Sequence, residues 1–244
     1  VNPMIANIFL LLVLGHLVGD FVLQPLWLAI AKRQGWRGLL IHVAVVTLST
    51  TIIVAGRMPQ WAAWMVALFA IHLFIDQFRT FVFTNNCCGR GLLLLIADQL
   101  VHMLSLALIA GWATGEPLSA LGTLFATPMT AAGRTILIVA GIIIAFWVAP
   151  ILEIELVVAI ASLKKATGKG IAPIELSDRM MGGAERVLAL AAIAGGWWLL
   201  APMIFVPRWL WLRRKSAARY VLFSKMGMSI GVAGLLAAIL PILR

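Results

Sequence analysis

Seven stretches of this chain are apolar over roughly the length a bilayer crossing needs, about 20 residues per helix. They lie at about 3–27, 38–55, 61–83, 91–112, 134–163, 183–206 and 221–243, the fifth interrupted by Pro150. Backbone polar groups find no water in hydrocarbon, so segments of this length must satisfy themselves as helices. The expected fold is all-α: a polytopic integral membrane helical bundle of about six to seven transmembrane helices. Composition agrees, with 63% hydrophobic and 11% charged residues, where a soluble domain carries about 25% charged. The net charge of +10 then reads as basic loops facing an anionic leaflet, and no nucleic-acid partner is expected. Trp27, Trp36, Trp61, Trp112, Trp209 and Trp211 sit near segment ends, as an interfacial belt requires. The first run carries His16 and Asp20 and reads as a span, not a cleaved signal. The expected location is the bacterial inner (cytoplasmic) membrane, multi-pass, with the lipid bilayer as first partner.

Basic residues favour an N-terminus outside for the first five spans. Inner loops would then hold Lys32, Arg33, Arg37, Arg79, Arg90, Lys164, Lys165, Lys169 and Arg179, against Arg57 and Arg134 outside. The last hairpin contradicts this, because Arg208, Arg213, Arg214, Lys215, Arg219 and Lys225 would face outside. Either one of the last two stretches fails to cross, or the early charges dominate. The segment at about 207–220 reads as basic and interfacial.

Ionisable residues inside such spans are costly and need a reason to be there. His16 with Asp20, His72 with Asp76, and Asp98 with His102 all have i,i+4 spacing, which puts each pair on one helix face. His42 stands alone. In spans one and three the order is His then Asp; in span four it is reversed. Consecutive spans run antiparallel, so the reversal restores one layering in space. His16, His72 and His102 should share a level, with Asp20, Asp76 and Asp98 about 6 Å away, one helical turn. His42, near the start of span two, belongs on the carboxylate side.

A shift of 56 positions places His16 on His72, Asp20 on Asp76 and His42 on Asp98. That predicts two repeated two-helix hairpins, about 1–56 and 57–113, related by an axis along the membrane normal with a shared site between them. The expected organisation is a four-helix His/Asp-bearing core over 1–113 and a C-terminal membrane region over 114–244.

Imidazole nitrogen with carboxylate oxygen suits a divalent transition metal (zinc, iron or manganese), or two ions if the ligands divide. The expected ligands are His16, His72, Asp76 and His102, with Asp20, His42 and Asp98 as the catalytic, proton-handling groups. Gln24, Gln77 and Gln99 lie near enough to orient them. Haem would use two His and leave the Asp residues unexplained. Elsewhere, Cys87-Cys88 reads as an inert loop pair. Glu153 and Glu155 lie two apart, so only one can face the bundle centre, with Arg186 or Arg134 as natural partner. Small residues at Met181-Gly182-Gly183-Ala184 permit close helix approach, and Glu185 reads as structural.

Gly15-His16-x-x-x-Asp20-Phe21-x-x-Gln24, the basic turn, Leu39-Leu40-x-His42, His72-x-x-x-Asp76 and Asp98-Gln99-x-x-His102 together resemble an uncharacterised bacterial family of polytopic membrane proteins, a domain of unknown function, over roughly residues 8–105. Gly183-x-Glu185-Arg186 and Arg219-Tyr220 resemble, more loosely, the C-terminal half of its longer members. The resemblance implies that the His and Asp positions form a shared pattern, and it implies no activity. A vaguer similarity, with a different motif, is to small bacterial membrane proteins described as metal-dependent hydrolases. Three functions stay open: an intramembrane metal-dependent hydrolase acting on a lipid or isoprenoid substrate, an ion or proton translocator using the same residues, and an accessory subunit of a larger membrane complex.

Overall fold

The computed structural model describes residues 4–82, 91–122, 130–163, 176–215 and 219–239. Cys87, Cys88, Arg90, Lys164, Lys165 and Lys169 lie outside the described residues. Helix α1 covers Met4–Leu17 and runs on as a π-helical turn over Val18–Val22; α2 covers Leu26–Gln34 and α3 Trp36–Val54. Helix α4 covers Trp61–Gln77, continues through a π-helical turn at Phe78–Val82, and is followed by α5 over Gly91–Thr114. A single rod, α6, spans Ala131–Leu163 and is π-helical at Ile144–Val148. Then come α7 (Leu176–Ala194), α8 (Val206–Lys215) and α9 (Arg219–Ile239).

Six of these helices, α1, α3, α4, α5, α6 and α9, are long and apolar enough to cross a membrane among the described residues. The chain is a polytopic helical membrane protein. Burial is inverted relative to a water-soluble fold: Ile52, Val66 and Leu100 are 69%, 71% and 64% exposed, while His16 and His42 are fully buried. Lipid-facing apolar side chains and inward-facing ionisable ones account for this pattern.

The apolar stretch at 183–206 does not form one helix. Helix α7 stops at Ala194, Gly196 takes a left-handed φ of +81°, and turns lead to a short helix at Ala201–Ile204 and then to α8. With six candidate crossings instead of seven among the described residues, Arg208, Arg213, Arg214, Lys215 and Arg219 would fall on the side expected for the earlier basic loops.

The chain forms two compact units. The first holds α1 to α4, most of α5 and the start of α6. Ile5, Ile8 and Leu12 of α1 pack with Val54 at the end of α3, Met58 in the turn that follows, Met65 and Leu68 of α4, and Leu106, Ile109 and Ala110 of α5. Each of these four helices therefore gives one half to an apolar core and carries its His, with an Asp on all but α3, in the other half. Glu116 caps the start of α1, accepting from the backbone N–H groups of Met4 and Ile5 at 3.1 and 2.9 Å. That carboxylate answers donors which would otherwise be orphaned at a helix N-terminus.

The second unit holds the rest of α6 with α7, α8 and α9. Pro150 does not interrupt α6. It lacks an N–H and so frees the carbonyl four residues back, and the π-helical turn just before it absorbs the misfit. Arg179 Nε donates to that freed Phe146 oxygen at 3.0 Å, and Arg186 Nε donates to the Ala145 oxygen at 2.9 Å. Glu153 takes the expected partner, with Arg186 Nη1 at 2.5 Å from Oε1. Arg208 was expected at an interface and is instead 2% exposed. Its guanidinium reaches Glu153 Oε2 at 2.7 Å, Glu185 Oε1 at 2.7 Å and Asp178 Oδ1 at 2.8 Å. Gly182 explains the burial, since a Cβ there would lie 2.9 Å from the Arg208 Cζ. Burial pushes the Asp178 carboxyl up, but the Arg208 charge and Lys225, which donates to its Oδ2, hold it below its ordinary value.

Removing one partner of a buried ionic network strands the others, at a cost of about 3–5 kcal/mol. Arg208→Met should therefore lower the melting temperature in detergent sharply. Arg214→Met, exposed on the same helix, should change stability by no more than about 0.5 kcal/mol.

Candidate functional site: a buried histidine–aspartate cluster

The cluster depends on how closely α1 and α3 approach. Gly15 and Gly19 lie one turn apart on α1 and face α3. A Cβ on Gly15 would come within 2.6 Å of the Thr50 Cα, and one on Gly19 within 2.5 Å of the Val46 Cα. Only the missing side chains permit this contact, as in small-residue packing between membrane helices. Ser49 Oγ fastens it, donating to the Gly15 carbonyl oxygen at 3.1 Å. His16 and Asp20, each the next residue along, are thereby brought beside His42 of α3, with Asp20 in the middle of the π-helical turn.

His16, His42, His72 and His102 converge from four helices, as the reversed spacing on α5 requires. Ring centroids lie 5.5 Å apart for His16–His72, 5.1 Å for His16–His102, 5.5 Å for His42–His72 and 4.4 Å for His72–His102. His42 sits on the carboxylate side, with Nε2 3.2 Å from Asp20 Oδ1 and 3.1 Å from Asp76 Oδ2. Its other nitrogen faces Gln24. That amide is satisfied with its oxygen accepting from His42 Nδ1 and from Lys32 Nζ, both at 3.0 Å, and its nitrogen donating to the Asp20 carbonyl oxygen at 2.9 Å.

Gln99 ties two of the carboxylates together. Its Nε2 donates to Asp20 Oδ2 at 3.1 Å and to Asp98 Oδ2 at 3.2 Å, while its Oε1 meets His16 Nε2 at 3.3 Å. Asp98 stands at the edge and pairs with Arg79 Nη1 at 3.0 Å. Its Oδ1 is buried without a hydrogen-bond partner. Beside it, a cavity of about 280 Å³ opens between α4 and α5, lined by Phe74, Ile75, Phe78, Leu94, Ala97 and Val101, with Arg79 and Asp98 as its polar end.

Two triads have ligand atoms within 4.8 Å of one another: His72 with Asp76 and His102, and Asp20 with His42 and His72. These buried His and Asp groups could hold a metal ion. Ligands at about 2.0–2.2 Å around a tetrahedral ion lie roughly 3.4 Å apart, so small side-chain rotations would close either triad. His16 belongs to neither, and Asp98 is held outside both by Arg79. The orientation of His102 is informative. Its Nδ1 donates to the Asp98 carbonyl oxygen at 2.9 Å, which leaves a buried Nε2 with no partner. Metal-ligating histidines typically donate their second ring N–H in this way.

Lys32 is the participant that the sequence hid. Its Nζ lies 3.2 Å from His42 Nε2, 3.5 Å from Asp76 Oδ2 and 3.8 Å from Asp20 Oδ1. A lysine in a basic turn after a membrane span ordinarily reads as a topology signal. The available hint was its place eight residues after Gln24, in reach of the span's polar end.

A family model described as a protein of unknown function, DUF3307, matches residues 8–129, half of the chain. The chain belongs to this family. The DUF3307 region contains every His and Asp of the cluster together with Lys32, whereas the Arg208 network lies beyond it. The family description assigns no activity, and no curated protein and no solved structure matches the chain.

A methyl forced into the α1–α3 contact should cost about 1–3 kcal/mol by overpacking. Gly19→Ala is therefore expected to lower the melting temperature in detergent. Gly227→Ala, where a Cβ would meet nothing within 4 Å, should leave it unchanged.

Proposed function

We propose that the DUF3307 region is an intramembrane metal-binding unit that performs hydrolase-type chemistry on a lipidic substrate, in the bacterial inner membrane. The observation that carries this is the buried, unpartnered His102 Nε2 beside His72 and Asp76, its tautomer fixed by the Asp98 carbonyl. In this reading His72, Asp76 and His102 hold the ion, and the mixed nitrogen and oxygen donors suit zinc, iron or manganese. Such an ion would supply Lewis acidity and a water that ionises near neutral pH. Haem is disfavoured by space, since four rings at 4.4–5.5 Å leave no plane for a porphyrin.

The chain's own groups supply the rest. His42, with Nδ1 on Gln24 and Nε2 between two carboxylates, is placed to carry a proton, and Asp20, whose Oδ1 lies 3.2 Å away and which takes no part in holding the ion, is its exchange partner. His16 acts on Asp20 through Gln99. The apolar cavity between α4 and α5 takes a single acyl or isoprenoid chain, and Arg79 with Asp98 meets the polar group at its inner end. A substrate of this kind enters sideways from the bilayer.

Elemental analysis of protein purified without a His tag tests the metal. The expected result is a single transition ion per chain, lost in His72→Ala and in His102→Ala and retained in His16→Ala. Folded protein that carries no transition metal would overturn the proposal. Ala97→Trp should fill the cavity and abolish turnover of a lipid substrate while leaving the metal in place.

One observation favours a second reading, translocation of a proton or cation. Polar contacts run unbroken from His16 through Gln99 and Asp20 to His42 and Asp76. Flux in proteoliposomes that is abolished by Asp76→Asn, in metal-free protein, would support it over hydrolysis.

A further inference from the structure

The two triads share His72 but are not equivalent, because Lys32 meets two members of one and a single member of the other. Its ammonium contacts Asp20 and His42, two of the three members of the Asp20–His42–His72 triad, and its third ionic contact is Asp76 Oδ2. Of the other triad it meets Asp76 alone, through Oδ2, and neither His72 nor His102 is among its contacts. A divalent ion at Asp20–His42–His72 would have to share the same carboxylate oxygen and the same His42 Nε2 with a fixed positive charge. In a water-poor interior that repulsion is poorly screened.

The placement is built into the backbone. Helix α2 follows Pro25 and turns Leu26, Trp27 and Ile30 outward while burying Leu28. It then folds back onto α3 at Gly38, where a Cβ would lie 2.2 Å from the Ala31 carbonyl carbon and 2.6 Å from the Lys32 nitrogen. Any side chain at 38 would push the Ala31–Lys32 backbone off α3. Gly38 is thus a positioning residue for the Lys32 ammonium, much as Gly15 and Gly19 are for His16 and Asp20.

We propose that Lys32 is a resident cation occupying the second cation position of this cluster, so that the site takes one divalent ion, at His72–Asp76–His102, rather than two. This rests on the metal-binding reading above. The lysine answers Asp20 and the Oδ2 of Asp76, and Asp76 Oδ1, which faces His102 Nε2 at 3.8 Å, is left with His72 and His102 to the metal.

Chelator-stripped protein titrated with Zn²⁺ alone, with bound metal counted by elemental analysis, tests this. Native protein and Lys32→Arg should saturate at one ion. Lys32→Met, which keeps the aliphatic stem and loses the charge, should saturate at two, and adding Asp20→Asn should return it to one. Gly38→Ala should also admit a second ion, which gives an independent route if Lys32→Met fails to fold. Two ions in native protein, or one ion at unchanged affinity in both Lys32→Met and Gly38→Ala, would overturn the inference. Zinc bound by neither native protein nor variants would overturn the metal-binding reading and this inference with it. Zinc bound by Lys32→Met alone would uphold Lys32 as the resident cation and overturn the resident metal.

Discussion

An ionisable side chain inside a hydrocarbon layer has only other protein groups to answer it, and this constraint organises the DUF3307 region. Each such residue costs about 2.5–3.5 kcal/mol at the centre of an inserted helix. Scattered one per helix, the histidines and aspartates would be liabilities. Drawn to one depth, they supply each other's partners: Asp20 and Asp76 for His42, the Asp98 carbonyl for His102, Gln99 for His16 and Asp20. The apolar halves of the same four helices then pack separately as a conventional core.

Small residues decide where those charges can meet. Gly15 and Gly19 set the α1–α3 distance, Gly38 sets α2 on α3, and Gly182 opens the space that Arg208 fills in the second unit. In each case the glycine stands where a Cβ would collide with the group or backbone that brings a charge inward. The two units thus use one device for different ends. In the second, three acidic and three basic side chains bond to each other and to Ser229, so that opposite charges answer one another even though Glu185 Oε2 and Arg186 Nη2 make no hydrogen bond. In the first, His16 Nδ1, His72 Nδ1, His102 Nε2 and Asp98 Oδ1 are left buried without partners. Unanswered polar atoms of this kind, beside carboxylates, mark a place for a ligand.

Much of this is legible in the sequence. The i,i+4 spacings and their reversal on α5 required convergence at one depth, because helical periodicity and antiparallel packing leave no other arrangement. That only one of Glu153 and Glu155 faces inward followed from the same periodicity, and the structure buries Glu153. What failed were the positions where local pattern and tertiary contact pull apart. Lys32 looked like a topology charge and Arg208 like an interfacial one, since a long flexible stem can carry a charge to either place. The deciding contacts come from glycines on neighbouring segments. Pro150 looked like a break because its missing N–H is local, whereas Arg179 and Arg186, which answer the exposed carbonyls, are distant in sequence. The stretch at 183–206 looked continuous because its composition is apolar, yet its backbone breaks after Ala194 where Gly196 turns left-handed.

The central claim is that one metal and one lysine share a single buried His/Asp cluster. Anomalous diffraction at the zinc edge, on crystals of zinc-loaded protein, addresses it directly. The account predicts a single peak bounded by His72, Asp76 and His102, with the Lys32 ammonium still against Asp20 and His42. Two peaks with Lys32 displaced outward, or no peak in the cluster at all, would contradict it.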